Sequence, residues 1–529
     1  MTNFNQAIIS EISKRKIKND NGLSQLKREM ARKFQKGLPT NIILLRAYRT
    51  MVKDKKIKKN KILEKLLKTR GIRSLSGVAV VSVLVKPFPC PGRCVYCPTE
   101  RKIPKSYLSG EPAVERAILN KYDPAKQVKM RIKSLEMTGH PTDKIELIII
   151  GGTSSVLSKN YQAWFIKKCF DAASGKTARH LKEAQRINEK ATHRIVGLSL
   201  ETRPDYINEE EIKWMRRLGA TRVEIGVQST YNDVLKLNRR GHTIETAIKA
   251  TKLLKDAGFK VCYHMMPNLP GSNTKRDRKM FKEIFQNSSF RPDMLKIYPC
   301  VITRGAKIYE WYKKKLYKPY SDKILIELLA DIKKNIPYWV RIIRVIRDIP
   351  AFKIIAGSKI SNLREIVQQK LKNERTPCQC IRCRQIKEAS DIVKSLKLFR
   401  EDYDASDGKE IFLSFEDKNR RNIYAFLRLR IPSYLLKNQK HFIKVLENAA
   451  IIREIHTYGE TVKIGEYSKD AIQHKGLGKK LIQEAEKIAQ KEFRIKKIAV
   501  ISGVGVRGYW RKLGYRLQDE YMMKRLQHI

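Results

Sequence analysis

The sequence predicts an α/β protein: an incomplete barrel of parallel strands in the middle of the chain, a second sheet-bearing unit after it, and basic helices ahead of both. Three observations carry this. Seven short apolar runs alternate with amphipathic segments between residues 76 and about 346, the rhythm of a parallel sheet with helical crossovers. From about residue 391 further apolar runs read as a strand meander, followed by one long helical stretch and another strand. Residues 1–70 hold 20 Lys/Arg against 5 Asp/Glu, net +15, about twice the charge density of the whole chain.

The 529 residues suffice for three or four domains, and 42% hydrophobic content can build their cores. The expected division is a basic nucleic-acid-binding region over 1–75, the barrel over 76–370, a metal-binding linker over 371–390 and a C-terminal unit over 391–529. Lys and Arg number 111 against 53 Asp and Glu, net +58. A field of that size favours a polyanion, nucleic acid foremost, and repels a strongly basic acceptor such as a histone tail. Six of the nine cysteines fall in two tight clusters, which is metal-binding usage in a reducing compartment and not a disulfide framework. No charged-then-apolar leader and no run of about 18 apolar residues occurs, so a soluble, cytoplasmic protein without membrane contact is expected.

Within the basic region, Ile42–Leu45, Ile57, Ile62 and Leu66 recur at helical spacing, which predicts short helices gripping nucleic acid in place of a solvated tail. The barrel strands are read at Val78–Val85, Ile145–Ile150, Ile195–Leu200, Arg222–Val227, Lys260–Met266, Leu295–Val301 and Val340–Ile346, with a helix over Val234–Ala257. In such folds chemistry gathers at the carboxyl ends of the strands. Those ends carry Gly151 and Gly152, then Glu201, then Gln228 and Ser229. Lys296, Arg304, Arg344 and Arg347 lie near strand ends and are candidates for phosphate contact, with structural salt bridging the alternative for each.

The loop after the first strand reads KPFPCPGRCVYCP, placing Cys90, Cys94 and Cys97 in a C-x₃-C-x₂-C spacing. Three thiolates this close hold three irons of a [4Fe–4S] cube and leave the fourth open to a ligand. A zinc knuckle is the alternative, but zinc sites usually pair two C-x₂-C motifs or add His. The spacing resembles the signature of radical S-adenosylmethionine (SAM) enzymes. That resemblance implies that the open iron holds SAM and that one electron cleaves it to a 5′-deoxyadenosyl radical. It also implies an external electron donor.

Further on, TPCQCIRC supplies Cys378, Cys380 and Cys383, read as a zinc knot whose fourth ligand is unassigned, with unliganded thiols the alternative. In the C-terminal unit, Ile411–Phe415, Tyr424–Leu429 and Ala450–Tyr458 read as strands. Gln473-His474-Lys475-Gly476-Leu477-Gly478 then precedes a helix over Lys479–Phe493 and a strand over Lys497–Ser502. A glycine-rich turn at a helix N-terminus can hold a pyrophosphate. Q-x-x-G-x-G here, followed by GYWRKLGY at 508–515, resembles the acetyl-CoA loop of GNAT acetyltransferases. That resemblance implies that Gln473, Lys475, Gly476, Leu477 and Gly478 bind acetyl-CoA. GNAT enzymes often place a general-acid Tyr where this chain has Trp510, which cannot protonate a thiolate. Tyr509 is the replacement expected, with His456 and Tyr458 as runners-up for positioning water or the thioester.

A radical-SAM barrel fused to a GNAT domain, with segments such as ETRPDY (201–206), EIGVQS (224–229), NRRGHT (238–243), HMMPNLPG (264–271) and RVIRDIP (344–350), resembles the Elongator catalytic-subunit family in its stand-alone archaeal form. The resemblance implies an acyltransferase that uses acetyl-CoA and a SAM-derived radical to form 5-carboxymethyluridine at the wobble position of tRNA. It also implies that the first cysteine triplet ligates the cluster and that Gly151, Gly152, Glu201, Gln228 and Ser229 face SAM or substrate. Eukaryotic members have a longer gap between the first two cluster cysteines and lack the C-x-C-x₂-C site. A protein lysine acetyltransferase with a structural cluster is the rival reading, and a tRNA-binding scaffold a third. Oligomeric state, a homodimer included, is left open.

Overall fold

A computed structural model describes residues 4–69, 77–386, 396–459 and 476–526. The basic region is helical: α1 (Phe4–Lys14), α2 (Asp20–Lys33), α3 (Asn41–Lys53) and α4 (Lys61–Leu67). Asn19, Thr40 and Asn60 start the last three, each accepting a backbone N–H of the first turn. Apolar residues at helical spacing, among them Ile8, Leu44, Tyr48 and Leu67, close a separate small core, so the charges point outward. Arg49 Nη1 donates to the Glu136 carbonyl at 2.7 Å, and Thr69 N–H to the Thr138 carbonyl at 3.2 Å. Both contacts lie at the end of the helix Pro124–Met137, just before a barrel strand begins.

The barrel comprises β1 (Ala79–Leu84), β2 (Lys144–Ile150), β3 (Arg194–Thr202), β4 (Arg222–Gln228), β5 (Lys260–Met265), β6 (Met294–Ile297) and β7 (Arg341–Arg344). All neighbours are parallel and in chain order. β7 and β1 are the two ends of the sheet, making a half-barrel open on one flank. Val81, Leu147, Val223, Ile225 and Val261 point out under the helices into the main core, as period-two alternation requires. The single helix expected over Val234–Ala257 is in fact two, Asn232–Leu237 and Ile244–Asp256. Between them Arg239 and Gly241 take positive φ, 51° and 77°, and the NRRGHT segment turns inward.

The second sheet holds β8 (Lys397–Ala405), β9 (Gly408–Glu416), β10 (Ile423–Ile431), β11 (Ala450–Thr457), β12 (Lys497–Val500), β13 (Arg516–Gln518) and β14 (Tyr521–Arg525), in the order β13-β14-β12-β11-β10-β9-β8. Its pairs are antiparallel except β11 with β12. The helix Leu477–Lys491 buries Leu481, Ala485 and Ile488 in the core of this sheet. Among the described residues no helix is long and apolar enough to cross a membrane.

The two sheets are joined through the amino-terminal ends of the barrel strands, opposite the mouth. A Cβ on Gly503 would stand 2.0 Å from the Val196 carbonyl oxygen, so only glycine permits this backbone-to-backbone approach. The same junction holds a buried ionic cluster. Asp293 accepts from Arg453 at 2.5 and 3.0 Å, Glu410 accepts from Arg453 and Arg430, and Asp256 accepts from Arg430 and Ser433. Burial works against the Asp293 charge, but Arg453, Lys255 and Arg428 hold its carboxyl far below the usual range. Charges so enclosed are costly unless all are paired, which fixes the orientation of one sheet on the other.

Candidate active site

The loop that follows β1 carries Cys90, Cys94 and Cys97 to the mouth. Gly92 lies between the first two. A Cβ there would stand 3.6 and 3.7 Å from their sulfurs and 2.5 Å from Arg203 Nη1, so glycine leaves the space beside the thiols open. Two arginines close in on it. Arg203, buried, forks onto Asp205 at 2.9 and 2.8 Å. Arg240, from the turn that splits the expected helix, donates Nη1 to Cys94 Sγ at 3.4 Å and Nη2 to the Gly226 carbonyl at 2.7 Å. The hydrogen bond with Cys97, reinforced by Arg240 and Arg203, brings Cys94 down to about 4, while Cys97 is pushed up by the same bond and by burial. A hollow kept open by glycine beside Cys90 and Cys94, with Cys97 hydrogen-bonded to Cys94 and two buried guanidinium groups facing them, fits an anionic iron–sulfur cluster.

Beside this loop, Thr153 Oγ1 lies 4.0 Å from Cys90 Sγ. Gly151 N–H donates to Glu201 Oε2 at 3.5 Å, and Tyr107 donates to the same oxygen at 2.6 Å. The fold thus brings Gly151, Gly152 and Glu201 together at one rim. Gln228 ends β4 at φ 71°, and its Oε1 is buried without a protein partner. Ser229, also buried, accepts from Tyr231 N–H at 3.2 Å.

Lys296 is a correction. Its ammonium is buried, paired with Glu224 and lying 3.7 Å from Glu201. Burial opposes its charge, yet Glu224 holds it well above the ordinary lysine value. It is part of an internal charge chain and is not free to hold a surface phosphate. That chain runs Glu146–Arg222–Glu224–Lys296–Glu201, with His264 Nε2 2.8 Å from Glu224. The Glu224, Cys262 and His264 donor atoms lie within 4.8 Å of one another, but Lys296 already neutralises the carboxylate a cation would need. The other three basic candidates differ. Arg347 donates to Ser106 and Glu111, Arg344 to Asp348 at the rim, and Arg304 is exposed.

In the second sheet β12 leaves β11 after the pair Ile452–Val500. From Arg453 to Thr457 one edge of β11 therefore has no strand partner among the described residues. The helix Leu477–Lys491 begins at this opening, capped by Gly476 in the left-handed region at φ 72°. A Cβ on Gly478 would meet Tyr509 Oη at 3.4 Å and Thr457 Oγ1 at 3.6 Å, so the Tyr509 hydroxyl sits at the helix N-terminus beside the splayed strand. Burial pushes the Tyr509 phenol up. Trp510 is buried against Tyr515 and faces away. Tyr458 is buried, its hydroxyl accepts from Arg341 at 2.6 Å, and burial raises it to about 12. His456 stacks on Phe426. Gln473 and Lys475 lie outside the described residues.

The Cys378, Cys380 and Cys383 sulfurs lie within 4.8 Å of one another beside β7, and Lys333 and Gln368 donate to Cys383 at 3.6 and 3.5 Å. Sequence reasoning gave Arg203 and Arg240 no role at the cradle, although ETRPDY follows the third strand and NRRGHT, with Gly241 behind two arginines, interrupts a helical pattern.

Models of the radical SAM superfamily and of the radical SAM C-terminal domain match residues 89–284 and 292–373. A tRNA uridine(34) acetyltransferase of Methanocaldococcus jannaschii is 46% identical over 99% of this chain and 97% of its own. Elongator complex protein 3 of Homo sapiens is 41% identical over 88% of this chain and 87% of its own. The solved structure of the Methanocaldococcus infernus Elp3 lacking its N-terminus has 46% identity and a TM-score of 0.75, over 85% of this chain and all of that one. The half-barrel, the cysteine cradle and near full-length identity lead to one conclusion: the chain belongs to the radical SAM family of tRNA uridine(34) acetyltransferases and Elongator complex protein 3.

Proposed function

We propose that the chain forms 5-carboxymethyluridine at the wobble position of tRNA, using acetyl-CoA as the source of the two-carbon group. The observation that carries this is the joining of the Arg-lined cysteine cradle to a second site, at the splayed β11 edge, in a chain 46% identical to a tRNA uridine(34) acetyltransferase over its length. Cys90, Cys94 and Cys97 hold the cluster, which with SAM supplies radical chemistry at a carbon that simple acyl transfer does not reach. Arg203 and Arg240 offset its negative charge in a buried site. Gly151, Gly152, Glu201, Gln228 and Ser229 line the mouth for SAM or substrate.

The second site is read as a GNAT acetyl-CoA site. The edge of β11 that no described strand pairs offers backbone groups to the pantetheine arm, and the helix start at Gly476 and Gly478 favours the pyrophosphate. Tyr509 stays a phenol at neutral pH and is placed to protonate the departing thiolate. Cys378, Cys380 and Cys383 fit zinc, whose bonds to sulfur of about 2.3 Å place two tetrahedral thiolates about 3.8 Å apart. Anaerobic incubation of tRNA with the protein, SAM, acetyl-CoA and a low-potential electron donor, followed by nucleoside analysis, tests the reading. 5-Carboxymethyluridine is expected, and its absence with a fully loaded cluster refutes it. Acetylated lysine with unmodified tRNA would favour the lysine acetyltransferase.

A further inference from the structure

We propose that Phe352 is a stacking platform for an unpaired base of the tRNA anticodon loop adjacent to the uridine that enters the barrel. The inference rests on the tRNA reading above. Phe352 is 79% exposed, the most exposed large apolar side chain among the described residues. An exposed phenylalanine in a loose loop would mean little. This one is held. It lies in a short 3-10 turn, Ala351–Lys353, on the segment that follows β7 at the mouth. On one side Arg347 bonds Ser106 and Glu111. On the other Lys353 bonds Glu100 at 3.0 Å and Ser109. Beyond it Ile355 N–H donates to the Ile302 carbonyl at 2.8 Å, and Ile302 bridges Ala356.

Glu100, Ser106, Ser109 and Glu111 all belong to the stretch directly after the cluster cysteines, so the ring stands on the frame that carries the cradle. Its tip would lie 3.6 Å from a Cβ on Gly110, which has none, and its faces stay open. Arg101, Lys102 and Arg304 are exposed on the neighbouring mouth segments, while Arg344 pairs Asp348 and Lys353 pairs Glu100. A rigid aromatic face set among phosphate-binding cations is how unpaired bases are held without sequence readout. Phe352 sits on the rim and not in the lumen, so it takes a neighbouring base and leaves the target uridine free to enter.

The test uses the full chain and an anticodon stem-loop carrying 2-aminopurine on either side of the target uridine. Phe352→Ala should bind the stem-loop about 5- to 150-fold more weakly, the range that loss of one base stack implies. The slope of affinity against salt should hold, because no phosphate contact is lost. The change in 2-aminopurine emission seen with the native chain should disappear, and Phe352→Trp should restore it. Leu436→Ala, an exposed apolar residue of the second sheet's side, is the control and should bind as the native chain does. Unchanged affinity of Phe352→Ala overturns the stacking role. A flattened salt slope would make the contact ionic, and an altered oligomeric state would make the ring a protein interface; either also overturns it. If the native chain does not bind the stem-loop, the tRNA reading itself fails.

Discussion

Replacing Arg240 by Met should lower the reduction potential of the cluster and leave the fold in place. The guanidinium is buried and donates to Cys94 Sγ at 3.4 Å. At that separation and an effective dielectric near 20, one positive charge stabilises one added electron by ~3–5 kcal/mol. Spread over a one-electron couple this is roughly 130–210 mV. The same substitution leaves the Gly226 carbonyl without the donors at 3.2 and 2.7 Å, a cost of about 1–3 kcal/mol in stability. Anaerobically reconstituted protein titrated against mediators, with the reduced cluster followed by electron paramagnetic resonance, reads the potential. Arg240→Lys keeps the charge but not the fork and should recover most of the potential. A shift below about 30 mV in Arg240→Met, or a rise, would refute the electrostatic role of this residue.

Three other outcomes follow from buried contacts. Asp293→Asn leaves Arg453 and Arg428 underpaired between the two sheets and should cost about 3–5 kcal/mol, read by denaturant unfolding. Gly92→Ala places a methyl 2.5 Å from Arg203 Nη1 and beside two thiols; reconstituted iron per chain should fall sharply while thermal unfolding changes little. Lys255, lowered mainly by burial to about 8 from 10.5, binds fewer protons folded than unfolded between those values. Stability therefore rises with pH across that window, by up to ~3 kcal/mol, and Lys255→Met should lose this slope in a pH series of unfolding curves.

What the sequence made legible follows from periodicity. The seven barrel strands alternate or run apolar because helices cover their outer faces, and each was placed to within a few residues. β8, β13 and β14 were not placed: the side chains of the first two are largely exposed and carry little apolar pattern, while β14 is a five-residue strand whose buried Tyr521, Met522 and Met523 run without alternation. Cysteine spacing is local and was readable. The arginines at the cradle were not, because Arg240 meets Cys94 across 146 residues and nothing in a helical repeat marks which turn will break inward. Lys296 was misread for a related reason. A lysine at a strand end looks the same whether it meets a phosphate or, as here, two carboxylates from neighbouring strands.

On the proposed reading, the placement of the two sites restricts how a two-carbon group would pass between them. The second sheet packs on the amino-terminal ends of the barrel strands, while the cradle is at their carboxyl ends. A path straight through the lumen would cross Arg222, Glu224, Lys296 and Glu201, buried and mutually paired, and opening that chain would expose unpaired charge in a low dielectric. The flank of the half-barrel between β7 and β1 is the other route. β7 is its last strand, and its first residue, Arg341, holds Tyr458 just past the end of β11. Its last, Arg344, is exposed beside Asp348 at the rim. Three residues of strand at about 3.3 Å each make about 10 Å between these two arginines. The cysteine knot touches this same strand, since Ile381 N–H donates to the Val340 carbonyl at 3.0 Å and Arg341 donates to Gln385. On the proposed reading, a metal at Cys378, Cys380 and Cys383 therefore sets the spacing between the two chemistries, although it takes part in neither.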